Sequence, residues 1–219
     1  MLKILPLGDS ITEGSEEFPG GYRGPLQQLL TENDVNFDFV GTRTHNSYRL
    51  DFPAHEGHPG FRTAMLGIGA RTEHSHANPI KLTLKTFAPD IVLLMSGTNN
   101  LYFDEPDSAL AEMRTLITEI LNRPNAPTIA LGTILPIIPG EKPWNMVIPN
   151  DVADRVMLYN EGLVDLARSF RESGEAVDSV DIFSCLDSLE ELHPDGVHPR
   201  EVVMRRMADA WFHGIQRIL

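Results

Sequence analysis

Five short apolar runs recur along the chain, each closed by turn-forming residues: 4–7, 37–40, 91–95, 128–135 and, with weaker alternation, 176–183. Runs of this length, bounded by Gly, Pro, Asn and Asp, read as β-strands. The stretches between them carry a helical period. Val152, Val156, Tyr159, Leu163, Leu166 and Phe170 are spaced four and three apart, which keeps one apolar face along a helix opened by Asn150 or Asp151. Leu110, Met113, Ile117 and Ile120 predict a second helix behind Asp107 or Ser108. Val203, Met207, Trp211 and Ile215 predict a last one at the C-terminus.

Strands alternating with helices of this length imply crossover connections and a parallel sheet covered on both faces, a three-layer α/β/α sandwich around five strands. The third run, I-V-L-L-M, is apolar without alternation, as a central strand buried on both sides requires. In such sheets ligands gather at the carboxyl ends of the strands. Ser10 follows the first strand and residues 96–100 follow the third, so both fall on that edge. No internal repeat or long linker divides the chain, which reads as one domain over 1–219.

Composition narrows the partners. Asp and Glu outnumber Lys and Arg by 31 to 18, a net charge of -13, which opposes approach to nucleic acid or to an anionic membrane surface. The single cysteine, Cys185, cannot form an intrachain disulfide. The longest apolar run, 91–95, is far below the roughly 18 residues that a membrane span needs. Too little apolar sequence follows Met1 for a signal peptide, so the expected location is cytoplasmic if the chain is complete as given, and secreted if a signal was trimmed.

Candidate chemistry begins where the first strand runs into Gly8, Asp9 and Ser10. Such residues suit a strand leaving its sheet, and they also suit a nucleophilic serine, provided a base elsewhere removes the hydroxyl proton. Asp195 and His198 stand three apart, close enough in a turn for the carboxylate to accept the Nδ1–H and leave Nε2 facing a hydroxyl. Pro199 fits the first position of the C-terminal helix and biases His198 away from helical geometry. An oxyanion would need donors. Gly60 can offer a closely approaching backbone N–H, and Asn99 a side-chain amide. Taken singly each has a plainer role: a solvated turn before a helix for Asp195 and His198, a loop turn for Gly60, a cap after a strand for Asn99.

Together, and in this order, Gly8-Asp9-Ser10, Gly60, Gly97-Thr98-Asn99 and Asp195-x-x-His198 resemble the four sequence blocks of the SGNH, or GDSL, hydrolases. The match runs from Lys3 to Pro199. The resemblance implies a flavodoxin-like SGNH fold and a Ser10, His198, Asp195 triad. It also implies an oxyanion hole formed by the Ser10 N–H, Gly60 and Asn99. The flanking stretches L-P-L-G-D-S-I-T-E-G, F-V-G-T and H-E-G-H-P-G-F look most like carbohydrate esterase family 3, whose members remove acetyl groups from xylan. One departure stands out: the third block usually ends Asn-Asp, whereas Asn99 is followed here by Asn100. Anchoring by the usual carboxylate then falls to a neutral amide or to a residue such as Asp104, and Asn100→Asp is expected to be tolerated.

Other chemistries fit less well. No serine has the flanking glycines of a G-x-S-x-G elbow, and no G-x-G-x-x-G or P-loop pattern occurs. His55, Glu56, His58, His74 and His76 could belong to a metal hydrolase, but H-E-G-H is one residue short of the helical zinc motif H-E-x-x-H. The Pro-rich stretch 136–149 is expected to be an irregular loop shaping the pocket, with Trp144 either stacking on a sugar face or packing the loop against the core. The expected function is a serine esterase that needs no cofactor and no metal. It would remove short acyl groups, acetyl above all, from carbohydrate such as acetylated xylan or from another small ester, with Asp9 and Trp144 as substrate contacts. The alternatives are a lipase-like or thioesterase relative acting on longer acyl chains, and a non-enzymatic small-molecule-binding domain.

Overall fold

The computed structural model describes residues 1–67 and 79–219. In chain order its first half comprises β1 (Leu2–Gly8), α1 (Ser10–Glu13), α2 (Arg23–Glu32), β2 (Phe37–Phe39), β3 (Glu56–Gly57), α3 (Thr63–Leu66), α4 (Pro79–Phe87) and β4 (Ile91–Met95). The second half continues with α5 (Pro106–Leu121), β5 (Thr128–Gly132), β6 (Gly140–Lys142), β7 (Met146–Ile148), α6 (Val152–Glu172), β8 (Val177–Val180) and α7 (Glu201–Ile218).

The five expected strands form the parallel spine in the order β2-β1-β4-β5-β8, and the two-residue β3 adds a further parallel pairing to the end of β1. Every residue of β4 is buried, which fits its place at the centre. α2 packs on α7 and α5 on α6, and the sheet lies between the two pairs. The register pairs Ile4 with Ile91 and Gly8 with Met95, so β1 and β4 end level and deliver Ser10 and residues 96–100 to one edge.

Boundaries depart from the sequence expectation where side chains capture backbone groups. The fourth strand stops at Gly132 rather than 135, because the Asn160 amide takes both the N–H and the carbonyl of Ile134, at 2.8 and 2.9 Å. The fifth ends at Val180 rather than 183, where Thr133 Oγ1 accepts the N–H groups of Ile182 and Phe183. α5 starts at Pro106, ahead of Asp107, since proline's fixed φ suits a first turn. α7 starts at Glu201, so Pro199 precedes the helix instead of opening it, and it bridges to Leu192. The stretch 136–149 is not wholly irregular: β6 and β7 form an antiparallel hairpin, with Asn145 at φ 59° in its turn. Pro143 and Pro149 had hidden it. α2 was not legible either, its short apolar spacing being interrupted by Gly24 and Pro25.

Candidate active site

Ser10 is positioned from both ends of a single helical turn. Asp9 caps α1 in extended geometry, its Oδ1 accepting the Ile11 N–H at 3.0 Å, and this makes Ser10 the first helical residue. At the other end Arg23 is fully buried. Its guanidinium donates to the carbonyls of Thr12 (2.9 Å), Glu13 (2.8 Å) and Pro53 (3.2 Å) and to Ser47 Oγ (2.9 Å). Burial lowers the Arg23 pKa to about 10, which leaves it cationic at neutral pH. The helix is thereby tied to the loop that follows β2.

From this turn Ser10 Oγ meets His198 Nε2 at 2.8 Å, and His198 Nδ1 meets Asp195 Oδ2 at 2.8 Å. Asp195 Oδ1 accepts the N–H groups of Val197 (2.8 Å) and His198 (2.9 Å), which fixes the carboxylate within its own loop. Burial works against the Asp195 carboxylate, but these hydrogen bonds and the imidazole outweigh it and hold its pKa well below the usual range. For His198, burial opposes the charged form, while the hydrogen bond and charge of Asp195, with the charge of Asp9, carry the pKa above its ordinary value. An Nδ1–H donated to Asp195 leaves Nε2 as acceptor for the Ser10 hydroxyl. That arrangement can move a proton from serine to imidazole.

The expected oxyanion donors share this edge. Gly60 sits in the turn closed by the Phe61 N–H and the His58 carbonyl at 3.1 Å, and the His58 N–H ties the turn to the Gly8 carbonyl at 2.9 Å. At φ 75°, with open space where a Cβ would stand, Gly60 adopts a backbone that favours glycine. Among the described residues neither the Ser10 nor the Gly60 N–H has a hydrogen-bond partner. Asn99 Nδ2 gives one hydrogen to the Phe61 carbonyl at 3.0 Å, and its second hydrogen is not so engaged. Beneath this loop Gly97, at φ 131°, lies flat against the Tyr159 ring, whose hydroxyl donates to the Ser96 carbonyl at 3.0 Å.

Asn100 occupies the position of the missing aspartate and is fully buried. Its Oδ1 accepts the Thr63 N–H at 2.9 Å, while Nδ2 donates to Asp104 Oδ2 at 3.0 Å and to Glu112 Oε2 at 2.7 Å. The amide thus anchors the loop by serving two carboxylates, which changes the expectation for Asn100→Asp.

A cavity of about 570 Å³ opens beside Ser10 and His198, bounded by Glu16, Glu17, Pro143 and His193. Trp144, on the β6–β7 turn and partly exposed, stands edge-on to the His198 ring at 6.3 Å between centroids. Asp9 is not a surface contact for substrate. It is 1 % exposed, and burial pushes its pKa up to about 6 against the pull of the Ile11 N–H, the His198 charge and the neighbouring Thr98. The histidines of the metal reading have other employment. His55 Nε2 faces the His45 carbonyl at 3.0 Å and Nδ1 accepts the Gly57 N–H at 2.9 Å, with burial and then the Arg23 charge lowering its pKa to about 3. His58 pairs with the buried Glu56 at 2.8 Å and stacks on Phe61. His74 and His76 lie outside the described residues. Sequence reasoning missed Arg23 and Glu56 as supports; a charged residue carries no mark of its burial in the sequence.

Comparison with known proteins places the chain and its fold. The chain is 30% identical over 236 residues to a multidomain esterase of Ruminococcus flavefaciens, matching along its whole length but spanning only 29% of that relative. Among solved structures, a family 3 carbohydrate esterase of Clostridium thermocellum superposes with a TM-score of 0.77 at 25% identity, covering 99% of this chain and 96% of the other. An acetyl esterase variant crystallised with acetate ion gives the same score at 23% identity, covering 100% and 98%, a likeness of fold. The family model of the GDSL-like lipases and acylhydrolases matches residues 7–206, from the end of β1 into α7, and the chain belongs to that family.

Proposed function

We propose that this protein is a serine esterase that removes acetyl groups from carbohydrate, with acetylated xylan as a representative substrate. The observation that carries the reading is the hydrogen-bonded series Ser10, His198, Asp195 at the carboxyl edge of the sheet, each link 2.8 Å long. Ser10 Oγ attacks the ester carbonyl as His198 Nε2 takes its proton, and Asp195 steadies the imidazolium. The Ser10 and Gly60 N–H groups and the Asn99 amide receive the oxyanion. Collapse of the intermediate expels the sugar oxygen, which collects the proton from His198. Water then attacks the acetyl-serine by the same route and releases acetate. No cofactor enters these steps. Acetyl and carbohydrate specificity draw on the carbohydrate esterase and acetyl esterase among the similar structures and on Trp144 beside the site.

The test is an acyl-length series of aryl esters together with acetate release from acetylated xylan. A trough for long chains would gain about 0.8 kcal/mol per buried methylene, so activity would climb with length. We expect kcat/KM to fall from acetyl to butyryl to octanoyl, and acetate to appear from xylan. A maximum at octanoyl without acetate release would refute the substrate assignment and leave the site residues standing.

A further inference from the structure

We propose that the cavity beside His198 is the leaving-alcohol subsite, and that Glu16 and Glu17 on its rim make it favour neutral or cationic leaving groups over anionic ones. This rests on the esterase reading above and deepens it. In that reaction the carbonyl oxygen turns toward Gly60 and Asn99, while the departing oxygen must reach the proton on His198 Nε2. The two halves of the ester therefore part on opposite sides of Ser10. The cavity is lined by Ser10 and His198 but by neither Gly60 nor Asn99, which puts it on the leaving-group side.

Its charge is one-sided. Asp195, Glu16 and Glu17 line it, and among the described residues no lysine or arginine does. Asp195 is matched by His198, but the two glutamates are not matched in the same way. The nearest partner of Glu17 is His193 Nδ1 at 3.9 Å, and the Glu17 side chain is 79 % exposed. Glu16 makes no ion pair among the described residues, and only its carbonyl is engaged, by the Tyr48 hydroxyl at 3.4 Å. Nearby cations are turned away from the two glutamates: Arg43 to Glu13, Arg205 to Glu201, Arg49 over the Tyr48 ring, and Lys142 to the Ile138 carbonyl and the charge of Asp195. An anionic group on the leaving alcohol, such as a uronate carboxylate, would enter within a Debye length of both glutamates, about 8 Å at physiological salt. A neutral polyol meets no such opposition, and exposed Tyr48 and Trp144 near the cavity offer it aromatic faces.

The experiment compares 4-acetoxybenzoate, its methyl ester and 4-acetoxyphenyltrimethylammonium as substrates for the wild type and for Glu16→Gln/Glu17→Gln. Reporting each substrate as a ratio to the methyl ester, variant against wild type, cancels intrinsic ester reactivity. At low ionic strength the anion-to-neutral ratio of kcat/KM should rise about 3- to 10-fold in the variant and the cation-to-neutral ratio should fall, both effects fading in about 0.5 M salt. Glu172→Gln/Glu175→Gln, which removes the same net charge beyond the far edge of the sheet, should leave both ratios in place. Ratios unchanged by the rim variant, or moved equally by the remote one, in an enzyme that hydrolyses all three esters would overturn this inference alone. Hydrolysis of none of them would overturn the esterase reading and this inference with it.

Discussion

Replacing Asn100 by aspartate restores the residue that the third sequence block usually carries, and the structure predicts that it harms this protein. The Asn100 amide donates to Asp104 and Glu112 from a fully buried position. An aspartate keeps the acceptor for the Thr63 N–H but sets a third carboxylate 2.7 to 3.0 Å from two others. Hydrogen bonds to charged groups contribute about 1.5–3 kcal/mol each, so losing two of them costs about 3–6 kcal/mol before the new repulsion is counted. Part of that cost is avoided if the new carboxyl keeps its proton. Its folded pKa is then raised, by about 3 units for a 4 kcal/mol penalty at 1.36 kcal/mol per unit, to near 7 against about 3.9 unfolded. The sign follows: the penalty is full above the folded pKa and shrinks as pH falls toward the unfolded one.

Urea unfolding of the wild type and Asn100→Asp at pH 5 and pH 8 measures this directly. The stability gap should be about 4 kcal/mol at pH 8, lowering the melting temperature by about 10 °C, and should narrow by about 2 kcal/mol at pH 5. Adding Glu112→Gln returns a donor to the cluster with the roles exchanged and should recover part of the loss, since the Ala64 N–H, which shares Glu112 Oε2 with Asn100, lies at an exposed position where water can meet it. A variant as stable as the wild type at both pH values, or no recovery in the double variant, would refute the reasoning.

Ser10→Ala and His198→Ala should each remove most ester hydrolysis, and the double variant should be little worse than either, because the two act as a unit; multiplicative losses would break the pairing. The acid limb of kcat/KM should lie above the ordinary histidine value of 6.5, since His198 must be neutral to act as base and its pKa is raised. Asp9→Asn removes one of the charges responsible, so the limb should move to lower pH. The same change should stabilise the fold at pH 8 by about 2–3 kcal/mol, because the buried carboxylate is costly while ionised above its folded pKa of about 6, a cost relieved as pH falls through that value. Asn99→Ala should lose ~10² to ~10³ in kcat with little change in KM, as a donor used in the transition state requires; equal changes in both would move Asn99 out of the oxyanion hole.

The strands of the sheet were legible because burial on both faces forces continuous apolar runs, as in Ile91–Met95. Where they end was not, because Asn160 and Thr133 act across sequence separations that no local pattern records. The hairpin was lost for a different reason. Prolines 143 and 149 read as breakers, yet they flank three-residue strands that pair only with each other.

Site residues were legible in a similarly uneven way. Spacing alone could bring Asp195 and His198 together, since three residues of a turn suffice, but Ser10 lies 188 residues from His198, and the parallel topology was needed to set them on one edge. Asn100 shows what a motif position conceals. Read against the usual Asn-Asp it is a lost anchor, and read in place it is the donor that lets Asp104 and Glu112 approach one another. The sequence did hold a clue in the acidic residues four and twelve positions on, but only burial turns them from solvated charges into partners that must be satisfied. An aspartate fits a block ending among donors, and an asparagine fits one ending among carboxylates. The identity at position 100 is therefore fixed by the charge of its neighbours, and the two have to change together.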